Sequence, residues 1–163
     1  MIEEKIKWNR KYQNLTPKKP SHLLHFIPKA KNKKALDLAG GLGSNALTLL
    51  KKGYDVTLID ISDVAISKIT NPKIKTICLD LDTYIIPQNE WDVIIKIKYF
   101  NLKLLKQIPK AIKNGGYFVF ETIDKYPIKE ELFFELFKNF DIIHFSKKPF
   151  QFVGVKHGCY RAF

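Results

Sequence analysis

Residues 35–46 read Ala-Leu-Asp-Leu-Ala-Gly-Gly-Leu-Gly-Ser-Asn-Ala, an apolar run followed by three glycines within four positions and the start of an amphipathic segment. That order dictates a strand, a tight turn and a helix. Glycine reaches positive φ without steric cost and lets a backbone approach a ligand closely. A helix that starts there points unpaired N–H groups at whatever the turn holds. From residue 34 onward, short β-rich runs alternate with helical runs, the pattern of βαβ units around a parallel sheet. The strand candidates are Ala35–Leu38, Val56–Ile59, Lys75–Leu79, Val93–Ile97, Tyr117–Thr122, Ile142–Phe145 and Phe152–Arg161. Helices are expected at 44–52, 62–70, 102–113 and 128–139, with two short ones at 2–13 and 20–27 interrupted by Pro17 and Pro20. Ile128, Leu132, Phe133, Leu136 and Phe137 fall at helical spacing and read as core. The early strands are continuous apolar runs, as strands covered on both faces are. Only Ser146–Gln151 separates the last two strands, so an antiparallel hairpin closes an otherwise parallel sheet.

A second feature locks onto the glycine turn. The second strand ends in Asp60, seventeen positions beyond Gly43, where an acid accepts hydrogen bonds from ribose hydroxyls. An N-cap for the following helix is the alternative role, but Ser62 or Asp63 serves that purpose as well. Gly41-x-Gly43-x-x-Ala46 also fits the dinucleotide fingerprint. Asp37 argues against a pyrophosphate, which a carboxylate four residues before Gly41 would repel. The same carboxylate suits S-adenosylmethionine (SAM), whose amino group and sulfonium are cationic. A chain of 163 residues is also expected to lack the substrate domain of a dehydrogenase.

Composition narrows the classes further. Apolar residues make up 45% and charged residues 27%, as in ordinary globular chains. No run approaches the roughly 20 apolar residues of a membrane span. The charged N-terminus is unlike a signal peptide, so a cytoplasmic protein without a membrane partner is expected. The net charge of +12 raises the possibility of a nucleic-acid partner, which is not favoured. The excess is spread along the chain, and Arg10 and Arg161 are its only arginines, although arginine is the residue suited to bidentate recognition. The cluster Lys29, Lys31, Lys33 and Lys34 reads as a solvated loop. Cys78 and Cys159 form no C-x-x-C pair, and no metal site is expected.

These motifs together resemble the class I SAM-dependent methyltransferases, most closely the small tellurite-resistance-type branch. The resemblance runs from Trp8-x-x-Lys11-Tyr12 through the glycine turn, GYDVTLIDIS, CLDLDTY and WDVIIKIKYFNL to KNGGYFVFET. It implies an α/β, doubly wound, Rossmann-like sheet of seven strands in the order 3-2-1-4-5-7-6, with the last strand antiparallel and helices on both sides. It also implies one SAM-binding domain over 1–163, with 1–33 as a helical cap. By matched position, Asp37 would approach the methionine amino group, directly or through water. Gly41 and Gly43 would shape the floor beneath it, with Ala39 in the same cofactor-binding set. Asp60 would bind the ribose and Ile61 would pack on adenine. Asp80 would face the adenine amino group, Leu81 would offer backbone contacts, and Lys96 would follow strand four beside the cofactor. The product would be S-adenosylhomocysteine (SAH).

The chain departs from the family pattern at several places. Gly40 stands where cysteine is common, and Asn114 where proline is typical. Lys96 and Lys98 bring positive charge towards the presumed transfer mouth, which is unfavourable beside a sulfonium unless Lys96 points away or meets an anionic substrate. Lys98-Tyr99-Phe100-Asn101 is not the N/D-P-P-Y loop of enzymes that methylate adenine or glutamine nitrogens, and no Pro-Cys pair suggests a covalent cytosine mechanism. A small-molecule acceptor is therefore favoured over RNA, protein or a non-catalytic SAM-binding module. Tyr99, Tyr12 and His25 are the catalytic candidates, with no general base evident. A monomer or a homodimer is expected.

Overall fold

The computed structural model describes residues 2–158. Its elements are α1 (Ile2–Tyr12), β1 (Lys34–Leu38), α2 (Ser44–Lys51), β2 (Asp55–Asp60), α3 (Asp63–Ser67), β3 (Lys75–Cys78), β4 (Trp91–Ile97), α4 (Leu102–Ala111), β5 (Ile112–Glu121), α5 (Glu130–Leu136), β6 (Phe140–Lys147) and β7 (Phe150–Lys156). Short 3₁₀ helices occupy His22–Phe26 and Leu81–Thr83. The seven strands are ordered β3-β2-β1-β4-β5-β7-β6. Pairing is parallel from β3 through β5, and β7 runs antiparallel to both β5 and β6. This is the expected sheet.

Several boundaries differ from the expectation, each for a local reason. Residues 20–27 form one 3₁₀ helix rather than an α-helix, capped by Ser21, whose hydroxyl accepts the Leu23 N–H. The helix expected over 62–70 stops at Ser67 because the chain soon reaches Pro72, which cannot continue it. Pro109 lies in the last turn of α4, and β5 begins at once at Ile112. The β4–β5 register then slips between Trp91 and Val93, so β5 starts five residues earlier than its apolar core suggests. Of the expected Phe152–Arg161 strand, β7 ends at Lys156, and residues 159–161 lie outside the described residues, as does Cys159.

The sheet divides the core into two layers. Alternate residues of a strand face opposite sides. Leu36, Leu38, Ile94, Phe118, Phe120 and Phe152 face α4 and α5. Ala35, Leu58, Val93, Ile95, Val119 and Val153 face α2 and the His22–Phe26 helix. Phe133 is the centre of the first layer, with ring centroids within 4.7–5.4 Å of Phe120, Phe137, Phe150 and Phe152. All the strand ends that bear candidate residues lie at the carboxyl edge of the parallel strands, where open α/β sheets bind ligands.

Candidate functional site

The glycine turn follows directly from the sequence. Ala39, Gly41 and Gly43 all take positive φ, at 57°, 56° and 85°. Gly43 caps α2 without a side-chain bond, and its N–H closes the turn on the Gly40 carbonyl at 3.1 Å. A Cβ at Gly40 would lie 2.7 Å from Asp37 Oδ2 and 2.5 Å from Leu58. The turn is thus packed against the acid of β1.

Asp37 is almost fully buried, and its Oδ2 has no hydrogen-bond partner. Burial, reinforced by the charge of Asp60, pushes its carboxyl up to about 8. A buried acceptor without a partner is costly unless something fills the role. Asp60 sits two positions further along the neighbouring strand, since Asp37 pairs with Leu58. Its Oδ2 accepts the Gly41 N–H at 2.9 Å and its Oδ1 accepts the Ser62 N–H at 2.9 Å. Asp60 therefore ties the tip of β2 to the glycine turn. Each carboxylate oxygen retains a second lone pair for a ligand. Burial raises the Asp60 carboxyl despite those N–H donors.

The N-terminal helix lies over this edge. A Cβ at Gly41 would lie 2.7 Å from the Tyr12 hydroxyl, so that hydroxyl rests on the turn. Burial, and then the charges of Asp60 and Asp37, push the Tyr12 phenol up to about 12. Helix α1 is fastened by Asn9, which bonds Asp63 at 2.7 Å and Ser62 at 2.6 Å, and by Lys68, whose ammonium donates to the Tyr12, Gln13 and Leu15 carbonyls. Ion pairing of Lys5 with Asp63 at 3.3 Å adds to this seam. Beneath α1 is a cleft of about 210 Å³ lined by Ile2, Lys5, Ile61, Cys78, Leu79 and Asp80. A larger open depression of about 500 Å³, lined by Leu47, Leu50, Lys51 and 70–73, lies at the far end of α2, away from the glycine turn. It contains none of the candidate residues.

The structure thus brings together Asp37, Ala39, Gly41, Gly43, Asp60, Ile61, Asp80 and Tyr12. Leu81 is buried just beyond Asp80, whose Oδ1 caps its 3₁₀ turn through the Asp82 N–H at 2.9 Å. Tyr99 is half-buried, and its hydroxyl accepts from the Asn101 amide at 3.3 Å. Burial raises its phenol against the lowering effect of the Asn101 bond, and the charges of Asp82, Asp80 and Asp60 add to the rise. His25 is exposed, lies tilted against the Phe26 ring and bonds the His22 carbonyl through Nδ1.

Lys96 stands apart from the cluster. It shares the face of Ile94 and Phe120, opposite Asp37, and is fully buried. Its ammonium donates to the Asn101 carbonyl at 2.9 Å and lies 5.3–5.5 Å from the rings of Tyr99, Phe100 and Phe120. No carboxylate pairs with it among the described residues. Burial lowers its ammonium to about 7. Lys96 therefore brings no cation to the face that carries Asp37.

Ser62, anticipated as an N-cap, is fully buried and caps α3 by accepting the Ala65 N–H at 3.0 Å, and its donation to Asn9 escaped the sequence reading. So did a second feature. Glu121, Gln151 and His144 form a polar chain across β5, β7 and β6. The acid that ends the apolar run Tyr-Phe-Val-Phe-Glu was the available signal for Glu121.

Comparisons with known proteins agree with this fold. A family model described as a methyltransferase domain matches residues 10–151. No curated protein matches the chain. Among solved structures, the chain is similar to a TehB-like SAM-dependent methyltransferase from Corynebacterium glutamicum, at 17% identity and a TM-score of 0.67, over 96% of this chain and 99% of that one. It is also similar to TehB from Haemophilus influenzae, at 20% identity and a TM-score of 0.64, over 82% and 60% respectively. A geranyl diphosphate C-methyltransferase from Streptomyces coelicolor, solved with SAH, shares 7% identity and a TM-score of 0.66, over 82% and 76%.

Proposed function

The chain belongs to the methyltransferase-domain family of class I SAM-dependent enzymes, and we propose that it methylates a small-molecule acceptor from the crevice at the carboxyl edge of β1, β2 and β4. One observation carries this reading. Asp37 is a buried acid beside the glycine turn whose Oδ2 bonds no described residue, and such an oxygen suits a cationic donor. SAM supplies the methyl group already activated by its sulfonium. In this reading the protein's residues position and shield. Asp37 accepts a hydrogen bond from the methionine amino group. Asp60 keeps its two backbone donors and accepts the ribose hydroxyls on its remaining lone pairs. Ile61, Asp80 and Leu81 bound the adenine end, in the cleft closed by α1. Tyr12 lies over the glycine floor and excludes water. Holding donor and acceptor in line supplies much of the rate enhancement, up to roughly 7–11 kcal/mol in well-aligned intramolecular models.

Residues 1–163 act as one unit in this reading, with the N-terminal segment as its cap, and the protein works in the cytoplasm. Among the described residues no helix is long and apolar enough to cross a membrane. RNA binding is the second possibility and rests on the +12 charge. It predicts a steep loss of affinity with salt. Calorimetric titration with SAM and with NAD tests the main reading. SAM binding at one site without NAD binding is expected. NAD binding without SAM binding overturns it.

A further inference from the structure

Beyond Asp37, Asp60 and Asp80, the carboxyl edge of the sheet carries a fourth carboxylate. Glu121 ends β5, and its place in the sheet follows from register. Asp37 pairs with Ile95, Ile97 pairs with Glu121, and Glu121 pairs with Gln151. Residues two apart on a strand share a face, so Asp60, Asp37, Ile97, Glu121 and Gln151 line one face of the carboxyl edge. Strand spacing and rise place the Glu121 and Asp37 Cα atoms about 12 Å apart, two strands across and two residues further along.

Glu121 is only 7% exposed. Its Oε2 accepts an N–H from the Gln151 amide at 2.8 Å. An ionised carboxylate only accepts, so the amide nitrogen of Gln151 faces it and Gln151 Oε1 faces away. That oxygen meets His144 Nε2 at 3.1 Å, which puts the imidazole proton on Nε2. The His144 ring stacks on Phe26 of the cap, with centroids 5.2 Å apart. The chain of donors points towards Glu121 and fixes its carboxylate. Its Oε1 bonds no described residue. In a chain with 28 lysines and arginines, none among the described residues pairs with this acid. A buried carboxylate left without a cation is a site for one.

We propose that Glu121 is the acceptor-side carboxylate and that the methyl acceptor is an amine. This rests on the SAM reading above. The amine nitrogen donates an N–H to Glu121 Oε1. The amine arrives as an ammonium and first passes one proton through Glu121 to solvent; the freed lone pair then forms the bond to the methyl carbon while the carbon–sulfur pair returns to sulfur. The nitrogen turns from neutral back to cationic, and the methylated ammonium departs. The hydrogen bond to Glu121 strengthens as that charge grows, which is the differential stabilisation that accelerates a reaction. An anionic acceptor meets repulsion at the same place. Lys96 offers it no relief, because that ammonium lies on the opposite face.

The test uses the full chain and two matched probe pairs, 2-phenylethylamine against 3-phenylpropanoate and ethanolamine against glycolate. SAH affinity is measured first. Thermal shift of the SAH-saturated protein and SAH release from SAM are then read for each probe. At least one amine is expected to raise the melting temperature and be turned over, and neither carboxylate to do so. Glu121→Gln, which keeps the shape, is expected to lose about tenfold or more in amine turnover with SAH affinity unchanged within about twofold. Equal amine turnover in Glu121→Gln overturns the proposal. So does a preference for the carboxylates, or silence towards both amines in a protein that binds SAH. Failure to bind SAH at all overturns the SAM reading instead.

Discussion

Proton release on cofactor binding follows directly from the burial of Asp37. Its carboxyl rises from 3.8 to about 8, through burial first and the charge of Asp60 second. At pH 7 a group titrating near 8 is about 90% protonated. A cationic ligand at Oδ2 favours the ionised form, so the proton leaves as SAM enters. The expected release from Asp37 is about 0.9 proton per SAM at pH 7, about 0.5 at pH 8 and about 0.1 at pH 9. Affinity for SAM should accordingly tighten by nearly tenfold between pH 6 and pH 7. The same linkage acts on folding. An acid whose folded value is raised contributes stability at pH below 3.8 and loses it as the pH climbs towards 8. Unliganded protein therefore weakens over that window, and SAM offsets the loss. The assay is calorimetry at pH 7 in phosphate, HEPES and Tris. The slope of observed enthalpy against buffer ionisation enthalpy counts the protons, and Asp37→Asn provides the reference. A difference of about 0.9 proton between the two proteins supports the account. Identical slopes would refute it.

Three further outcomes are expected. Asp60→Ala removes the partner of the Gly41 and Ser62 N–H groups as well as the ribose acceptor. SAM affinity by equilibrium dialysis should fall by more than about 1 kcal/mol, roughly fivefold, and denaturant titration should show a further loss from the orphaned donors. Lys96→Met replaces a buried ammonium that no acid balances. Burial lowers this group from 10.5 to about 7, so the wild-type protein gains stability as the pH rises through that window. The variant should lack that rise and be more stable by about 1 kcal/mol or more at pH 6, seen as a higher thermal midpoint. Phe133→Ala opens the aromatic layer beneath β5 and β7 and should cost about 3–5 kcal/mol in urea unfolding without changing the pH dependence of SAM binding.

Much of this architecture is legible in the linear pattern. The apolar runs, the glycine turn and the helical spacing specify strand, turn and helix locally, and each has a short-range physical cause. Asp37 inside the first strand and Asp60 at the tip of the second both stand beside the glycine turn, because those strands are parallel neighbours. What is less legible depends on parity and register. Lys96 lies inside strand four rather than after it, and its face depends on whether Ile95 or Ile94 points at α2, which a continuous apolar strand gives no alternation to decide. The Glu121–Gln151–His144 chain depends on the pairing of three strands, including a shift between Ile142 and His144 that no local signal announces. Strand five begins early for the same reason, since pairing of Ile112 with Trp91 overrides the helical pattern that runs to residue 113. Tertiary pairing decides these points, and nearest-neighbour chemistry does not.

A crystal structure of the protein grown with SAH tests the central claim most directly. The account predicts the adenine beneath α1 beside Ile61 and Asp80, the ribose hydroxyls on Asp60, and the amino group within hydrogen-bond distance of Asp37 Oδ2. Density for the ligand elsewhere, or a crevice still closed with Asp37 unpartnered at saturating SAH, would contradict it.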